Sequence, residues 1–205
     1  LPSDYVSDQA DIEWSVPLLA DLMARLGDRV GEIHVNVVAH SLGSRGVIFA
    51  LQRLAFERVE RPAIGHLVLL APDFDSQTFI ELQPGLAFLT GGMTLYASDN
   101  DAPLKVSRQL SGYPRLGEAG AYLTLVECMD TIDVSSVGRY QITGHEYFYF
   151  HPRVTADLVA LLSTGASAAQ RSGLSRMACS VEPKGDFKIK NIRNKQMPVT
   201  IKTKK

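Results

Sequence analysis

The fold is decided by one stretch of sequence, Val37-Val38-Ala39-His40-Ser41-Leu42-Gly43. An apolar strand ends within it, and a helix with apolar residues three and four positions apart begins. A serine at such a junction lies on a sharp, strained turn that lifts its hydroxyl above the sheet edge. We expect small residues two positions to either side, as Ala39 and Gly43 are. Ser41 is therefore a candidate nucleophile, the alternative being a helix cap. The N–H of Leu42, at the helix N-terminus, is the candidate oxyanion donor.

Segments typical of helices and strands alternate on both sides of this turn. The predicted helices are 9–26, 43–57, 102–110 and 152–163, and the predicted strands are 33–38, 66–71, 93–98 and a part of 122–134. Pro17 is expected to kink or divide the first helix. Near-continuous aliphatic strands that alternate with helices predict an α/β fold, with a mostly parallel sheet and helices on both faces.

The 205 residues divide by charge into an acidic body and a basic tail. Residues 1–170 carry 11 basic and 20 acidic side chains, a formal charge of −9, whereas residues 171–205 carry 10 and 2, a charge of +8. We predict one α/β domain over 1–165. Residues 166–205 are predicted to be a linker and a basic tail, either disordered or an edge hairpin.

The composition excludes several classes of protein. The hydrophobic fraction of 45% and the charged fraction of 21% are those of a globular chain. The longest aliphatic run, Leu67 to Ala71, is too short to cross a membrane. No glycine-rich nucleotide loop follows a strand. The two cysteines, Cys128 and Cys179, lack a C-x-x-C spacing, so we expect reduced thiols, with Cys128 in the core.

Partners and location follow from the same features. The basic tail has one aromatic residue, Phe187, and no recognised RNA- or DNA-binding motif, so we expect no nucleic-acid partner. No metal and no organic cofactor is expected. The sequence lacks an export signal, which favours a cytoplasmic location unless a signal precedes Leu1. The oligomeric state is left open.

A nucleophilic serine needs a histidine base, and in a parallel sheet the site lies at the carboxyl ends of the strands. That rule sets aside His34 and His66, which begin strands. His40 is expected to pack beneath the turn, pointing away from the serine. His145 follows a glycine in a loop and is favoured over His151, which precedes a helix.

The acid that orients the base also comes from a strand end. Asp101 is ranked first, Asp75 second and Asp99 third, and all three follow predicted strands. Asp101 opens a helix, so its alternative role is an N-cap, and Asp75 has a similar alternative. These candidates all keep the chain order Ser, Asp, His that is typical of α/β-hydrolases.

With these residues in view, the chain resembles the α/β-hydrolase superfamily, and within it a bacterial family of unknown function. The similar stretches are LPS at 1–3, AHSLG at 39–43, LAPDFD at 70–75, YASDND at 96–101 with Leu104 and Ser107, RLG at 115–117, and GHEY at 144–147. The resemblance implies that Ser41 is the nucleophile, Asp101 the acid and His145 the base.

The resemblance also sets expectations about the ends of the fold. Members of the family carry an earlier strand that ends in His-Gly, and its loop supplies a second oxyanion donor. This sequence starts after that point, so we expect a sheet that lacks its first strands. The segment 76–92, where such folds often insert a cap, is short, so any lid should be small.

Together these observations predict a serine hydrolase that cleaves an ester or a related acyl bond of a small molecule. The alternative is a non-catalytic α/β-hydrolase-like protein that serves as a binding module or scaffold.

Overall fold

Six strands form one sheet in the computed structural model, which describes residues 2–30, 35–57, 64–138, 143–176 and 199–201. The strands are β1 (Val37–His40), β2 (Ile64–Leu70), β3 (Thr90–Ala97), β4 (Asp130–Asp133), β5 (Leu174–Arg176) and β6 (Val199–Ile201). The helices are α1 (Pro2–Val30), α2 (Gly43–Phe56), α3 (Ser76–Leu89), α4 (Ala102–Ser111), α5 (Tyr147–Phe150) and α6 (Pro152–Thr164). Two short 3₁₀ turns cover Gly120–Tyr122 and Ser135–Val137.

The sheet is mostly parallel, in the order β1-β2-β3-β4-β6-β5. Strands β1 to β4 and β6 run parallel, and β5 pairs antiparallel with β6. The register brings His40 opposite Leu70, and Leu70 opposite Tyr96. The carboxyl ends of the first three strands therefore share one edge, which is where parallel sheets place their functional loops. The prediction of a mostly parallel sheet is confirmed.

Helices cover both faces of the sheet, as predicted. Along β2, Leu67 and Leu69 pack into a core formed with α1, α2 and α3, whereas Val68 and Leu70 pack into a second core with α4 and α6. The four side chains are at most 1% exposed. Burial of one such aliphatic side chain is worth about 1.5–3 kcal/mol, so the two faces stabilise β2 together.

Two alternatives expected from the local sequence, a division of the first helix and a buried Cys128, are wrong. Pro17 does not divide the first helix, because α1 is continuous from Pro2 to Val30 and packs Ala20 and Met23 into the core. Cys128 is not a core residue: it lies exposed in a turn with a φ of 57°. The segment 76–92 contains α3, the crossover helix between β2 and β3, whose Phe79 is buried, and this agrees with the expectation that any lid there is small.

The sheet continues beyond residue 165. β5 pairs antiparallel with β6 at the edge of the sheet, and β6 also pairs with β4. The residues between them, 177–198, lie outside the described ranges, as do 33 and 34 of the first predicted strand. The division of the chain at 165 stays a prediction.

A buried ion pair ties the segment after α6 to the sheet. Arg171 Nε donates to Asp157 Oδ1 at 2.9 Å, and an Arg171 Nη donates to the carbonyl of Ala166 at 2.9 Å. Tyr96 on β3 donates its hydroxyl to the same carboxylate at 2.6 Å. All the charged atoms are buried, so the pairing is what makes their burial tolerable. Among the helices described, none is long and apolar enough to span a membrane.

Candidate active site

The turn after β1 holds Ser41 in a left-handed conformation, with a φ of 52°. Non-glycine residues adopt this conformation at a cost of roughly 1–2 kcal/mol, so the surrounding bonds must hold it. The N–H of Ser41 donates to the carbonyl of Leu70 at 3.0 Å, and its own carbonyl accepts from the N–H groups of Ser44 and Asp73, each at 3.1 Å. The turn is thus fixed to β2 and to the loop that follows it.

The Ser41 side chain does not cap α2. The N-cap residue is Leu42, which makes no side-chain cap bond, and the Ser41 hydroxyl is directed at a histidine instead. Leu42 N–H belongs to the first turn of α2, where backbone donors have no acceptor within the helix. Its role as an oxyanion donor stays a prediction.

The crowding expected two residues after the serine is absent. Gly43 is exposed, and a Cβ added there would meet nothing within 4 Å. Ala39, two residues before the serine, is 5% exposed and packs in the first core. The turn therefore restricts side-chain size at position 39 but not at position 43.

His145 lies between the serine hydroxyl and a carboxylate. Its Nε2 is 2.8 Å from Ser41 Oγ, and its Nδ1 is 2.7 Å from Asp101 Oδ2. With the proton on Nδ1, the ring donates to the carboxylate and accepts the serine hydroxyl. The His145 side chain is 13% exposed and that of Asp101 is fully buried. The three residues ranked first from the sequence are therefore brought together in one hydrogen-bonded chain.

Asp101 has a second function in the structure. Its Oδ1 accepts from the N–H of Leu104 at 3.0 Å and so caps α4, while Oδ2 faces His145. The two roles considered for Asp101, helix N-cap and partner of the histidine, therefore use different oxygens of the same carboxylate. The cap holds the carboxylate in one orientation, because each oxygen has its own partner.

The loops that carry acid and base are bonded to each other. The N–H of Ala102 donates to the carbonyl of Thr143 at 3.0 Å, and the N–H of His145 reaches Thr143 Oγ1 at 3.4 Å. Gly144 between them has a φ of 67°, a conformation that glycine adopts at little cost. This glycine lets the chain turn so that His145 enters the site.

Tyr147 anchors the histidine loop to the sheet. Its hydroxyl donates to the carbonyl of Tyr96 at 2.9 Å and accepts from the N–H of Ala71 at 3.0 Å. Burial raises the pKa of Tyr147 well above its usual value, and the charge of Asp101 acts in the same direction. The side chain is therefore a neutral phenol that joins the ends of β2 and β3 to the loop.

The alternative acids lie outside this chain of bonds. Asp75 is the N-cap of α3 and binds the N–H and hydroxyl of Thr78, each at 2.7 Å. Asp99 follows β3, and its N–H donates to Ser135 Oγ at 2.9 Å. Among the described residues, the carboxylate that forms a hydrogen bond with His145 is that of Asp101.

The other histidines have separate surroundings. His66 on β2 bonds Thr94 Oγ1 at 2.9 Å, and its pKa is lowered, first by burial and then by the charge of Arg171. His151 occupies the N-cap position of α6, as its place before the helix indicated. His34 lies outside the described residues.

His40 is placed differently from the sequence prediction, which directed it beneath the turn. Its ring contacts the ring of His145, with centroids 4.6 Å apart, and its Nε2 lies 3.3 Å from the His145 carbonyl oxygen. The Phe148 ring also contacts the His40 ring, with centroids 4.6 Å apart. Burial lowers the pKa of His40, and the charge of the His145 ring acts in the same direction, whereas the bond to the His145 carbonyl and the charges of Asp101 and Glu146 oppose it. Sequence reasoning missed this contact.

A second polar cluster borders the turn. Asp73, whose N–H binds the Ser41 carbonyl, accepts from Ser107 Oγ at 2.6 Å and from the hydroxyl of Tyr5 at 2.8 Å. Arg115 lies 3.8 Å from the same carboxylate. In the part of the chain that the structure describes, no group of three or more His, Cys, Asp or Glu residues could hold a metal ion.

A mostly parallel sheet with helices on both faces, and a serine on a strained strand–helix turn beside a histidine, define the α/β-hydrolase class. The chain belongs to a family of that class described as alpha/beta hydrolase of unknown function (DUF900), whose family model matches residues 2–162. No curated protein and no solved structure matches the chain significantly.

Proposed function

We propose that the protein is a serine hydrolase that cleaves an ester or a related acyl bond of a small molecule through an acyl-enzyme. One observation carries the proposal: the continuous hydrogen-bonded chain from Ser41 Oγ through both nitrogens of His145 to Asp101. A nucleophile, a base within hydrogen-bond reach and a group that orients the base are the parts that this chemistry needs.

The distances support the following acylation step. His145 Nε2, 2.8 Å from Ser41 Oγ, takes the hydroxyl proton while the oxygen forms a bond to the substrate carbonyl carbon. The carbonyl π electrons move to its oxygen. Asp101, 2.7 Å from Nδ1, holds the imidazole in its tautomer and stabilises the imidazolium that forms.

The later steps use the same proton carrier. The tetrahedral intermediate collapses, the bond to the alcohol breaks, and the alkoxide takes the proton from His145 Nε2. Water then attacks the acyl-enzyme with His145 again acting as base, and the acid and free Ser41 are released. The N–H of Leu42 supplies a donor at the helix N-terminus for the oxyanion in both steps.

A fluorophosphonate probe tests the nucleophile. We expect the wild-type protein to be labelled and Ser41→Ala to remain unlabelled. Ser15→Ala is the matched control, because Ser15 is a partly exposed helical serine whose hydroxyl binds only a local carbonyl among the contacts of the described residues. Equal labelling of the wild type and Ser41→Ala would reject Ser41. A wild type that neither reacts nor hydrolyses short p-nitrophenyl esters would favour the alternative of a non-catalytic binding protein.

The chain also offers a matched pair for the acid. Asp101 and Asp75 both cap a helix through a side-chain oxygen, and asparagine caps about as well as aspartate. We expect Asp101→Asn to lower kcat for ester hydrolysis by about 10⁴-fold and Asp75→Asn to leave it unchanged. The reverse ranking would assign the acid to Asp75 and contradict the proposal as stated.

A further inference from the structure

The residue that precedes the nucleophile contacts the base in two ways. The Nε2 of His40 is within 3.3 Å of the main-chain oxygen of His145, so its N–H donates to that carbonyl. The two imidazole rings also lie in contact, tilted by 48°. Phe148 also contacts the His40 ring, with centroids 4.6 Å apart, so two rings and a hydrogen bond hold His40 in place.

These contacts restrain His145 in directions that its other bonds leave free. The bonds to Ser41 and Asp101 lie in the plane of the imidazole and fix it along that plane. Ring contact from His40 resists tilting out of the plane, and the bond to the carbonyl resists movement of the backbone. A displacement of about 1 Å in a catalytic group can lower a rate by roughly 10²-fold, so such restraint matters for the reaction.

The position of His40 in the chain strengthens this argument. His40 is the last residue of β1, paired with Leu70, and Ser41 follows it directly. A base held by His40 is therefore held by the same rigid backbone that carries the nucleophile. Its lowered pKa keeps the His40 ring neutral near pH 7, so it adds no positive charge beside the imidazole that must accept a proton.

We propose that His40 is a positioning residue that holds the imidazole of His145 against Ser41 through its ring contact and its bond to the His145 carbonyl. The inference rests on the proposed function, since it assigns His145 the role of base. It adds a residue that contacts neither the reacting hydroxyl nor the carboxylate.

Three substitutions separate the two contacts. His40→Gln retains a donor and removes the ring, His40→Phe retains a ring and removes the donor, and His40→Ala removes both. We expect kcat for p-nitrophenyl ester hydrolysis, per folded molecule, to fall about tenfold in each of the first two and about 10²-fold in the third. The effect should appear in kcat and not in KM, because the proposed role is to hold His145 and not to bind the substrate.

His66 provides the matched control. It is also a partly buried strand histidine with a lowered pKa and one side-chain bond, to Thr94. His66→Ala should lower thermal stability while its kcat per folded molecule equals that of the wild type. If His40→Ala behaves like His66→Ala, with lower stability and an unchanged kcat, the positioning role is overturned.

A second readout keeps this inference separate from the proposed function. ¹H NMR of the His145 ring should show an Nδ1–H proton that exchanges slowly with water in the wild type and in His66→Ala, and faster in His40→Ala, where the imidazole is less firmly held against Asp101. If the wild type neither labels nor hydrolyses esters, the proposed function fails, and the NMR comparison still decides the role of His40. An unchanged exchange rate of this proton in His40→Ala would overturn that role.

Discussion

The buried pair between Arg171 and Asp157 makes the segment after α6 part of the folded core. The two side chains are 1% and 4% exposed, and the carboxylate also accepts the hydroxyl of Tyr96. Arg171→Met removes one partner and leaves a buried carboxylate that the hydroxyl alone must satisfy. Loss of one partner from a buried pair costs about 3–5 kcal/mol. For a chain of this size, each kcal/mol lowers Tm by about 2–4 °C, so we expect a decrease of roughly 10 °C.

Differential scanning calorimetry measures this decrease, and two variants control it. Arg25→Met breaks an exposed pair with Asp21, 63% and 58% exposed, and should change the stability by less than about 1 kcal/mol. The double variant Arg171→Met/Asp157→Leu removes both charges and should recover much of the loss. A difference in Tm of about 2 °C is roughly the effect of a surface ion pair. If the Tm of Arg171→Met lies within that margin of the Tm of Arg25→Met, the segment after α6 does not dock as described.

Two further predictions concern stability. Burial lowers the pKa of His66, so the unfolded chain binds more protons than the native state as the pH falls below about 6.5. The free energy of unfolding, measured by urea titration, should therefore fall from pH 7 to pH 5. His66→Gln should show a smaller fall. An equal pH dependence in the wild type and His66→Gln would exclude His66 as a cause. Tyr147→Phe removes a buried hydroxyl, but the N–H of Ala71 and the carbonyl of Tyr96 also bond each other at 3.1 Å. We expect Tyr147→Phe to lower the free energy of unfolding, measured by chemical denaturation, by only about 1 kcal/mol. The control Tyr149→Phe, whose side chain is 72% exposed, should show no loss. A loss above about 3 kcal/mol in Tyr147→Phe would mean that the direct bond does not compensate.

Local patterns were sufficient to predict most of the central fold. The helix predicted over 43–57 is α2, Gly43–Phe56, and the helix over 152–163 is α6, Pro152–Thr164. Both have apolar residues three and four apart that face a buried sheet, so sequence neighbours determine them. The strands predicted over 66–71 and 93–98 correspond to β2 and β3 because buried parallel strands are continuous aliphatic runs.

Elements that depend on distant partners could not be predicted in the same way. β6 has only three residues and joins β4, Ile132 pairing with Val199 across more than sixty positions. Nothing in three residues specifies that partner. Arg171 lies in a stretch whose composition resembles a linker, and only its burial against Asp157 shows that it belongs to the core.

The candidate site divides in the same way. The chain order and the strand ends were enough to rank Ser41, Asp101 and His145 first, and their roles in catalysis stay predictions. The orientation of His40 was not accessible, because strand alternation predicts side-chain direction only while the backbone is extended. Ser41, with a φ of 52°, ends that regularity at the next residue.

The double engagement of Asp101 has a consequence for how this fold can change. The start of α4 and the support of the His145 imidazole both depend on the Asp101 side chain. A substitution there therefore alters reactivity and local folding at once. Relocating the acid to another strand end would require a replacement start for α4 as well. Variants that retain the cap but lose the charge are therefore the only clean way to separate the two contributions.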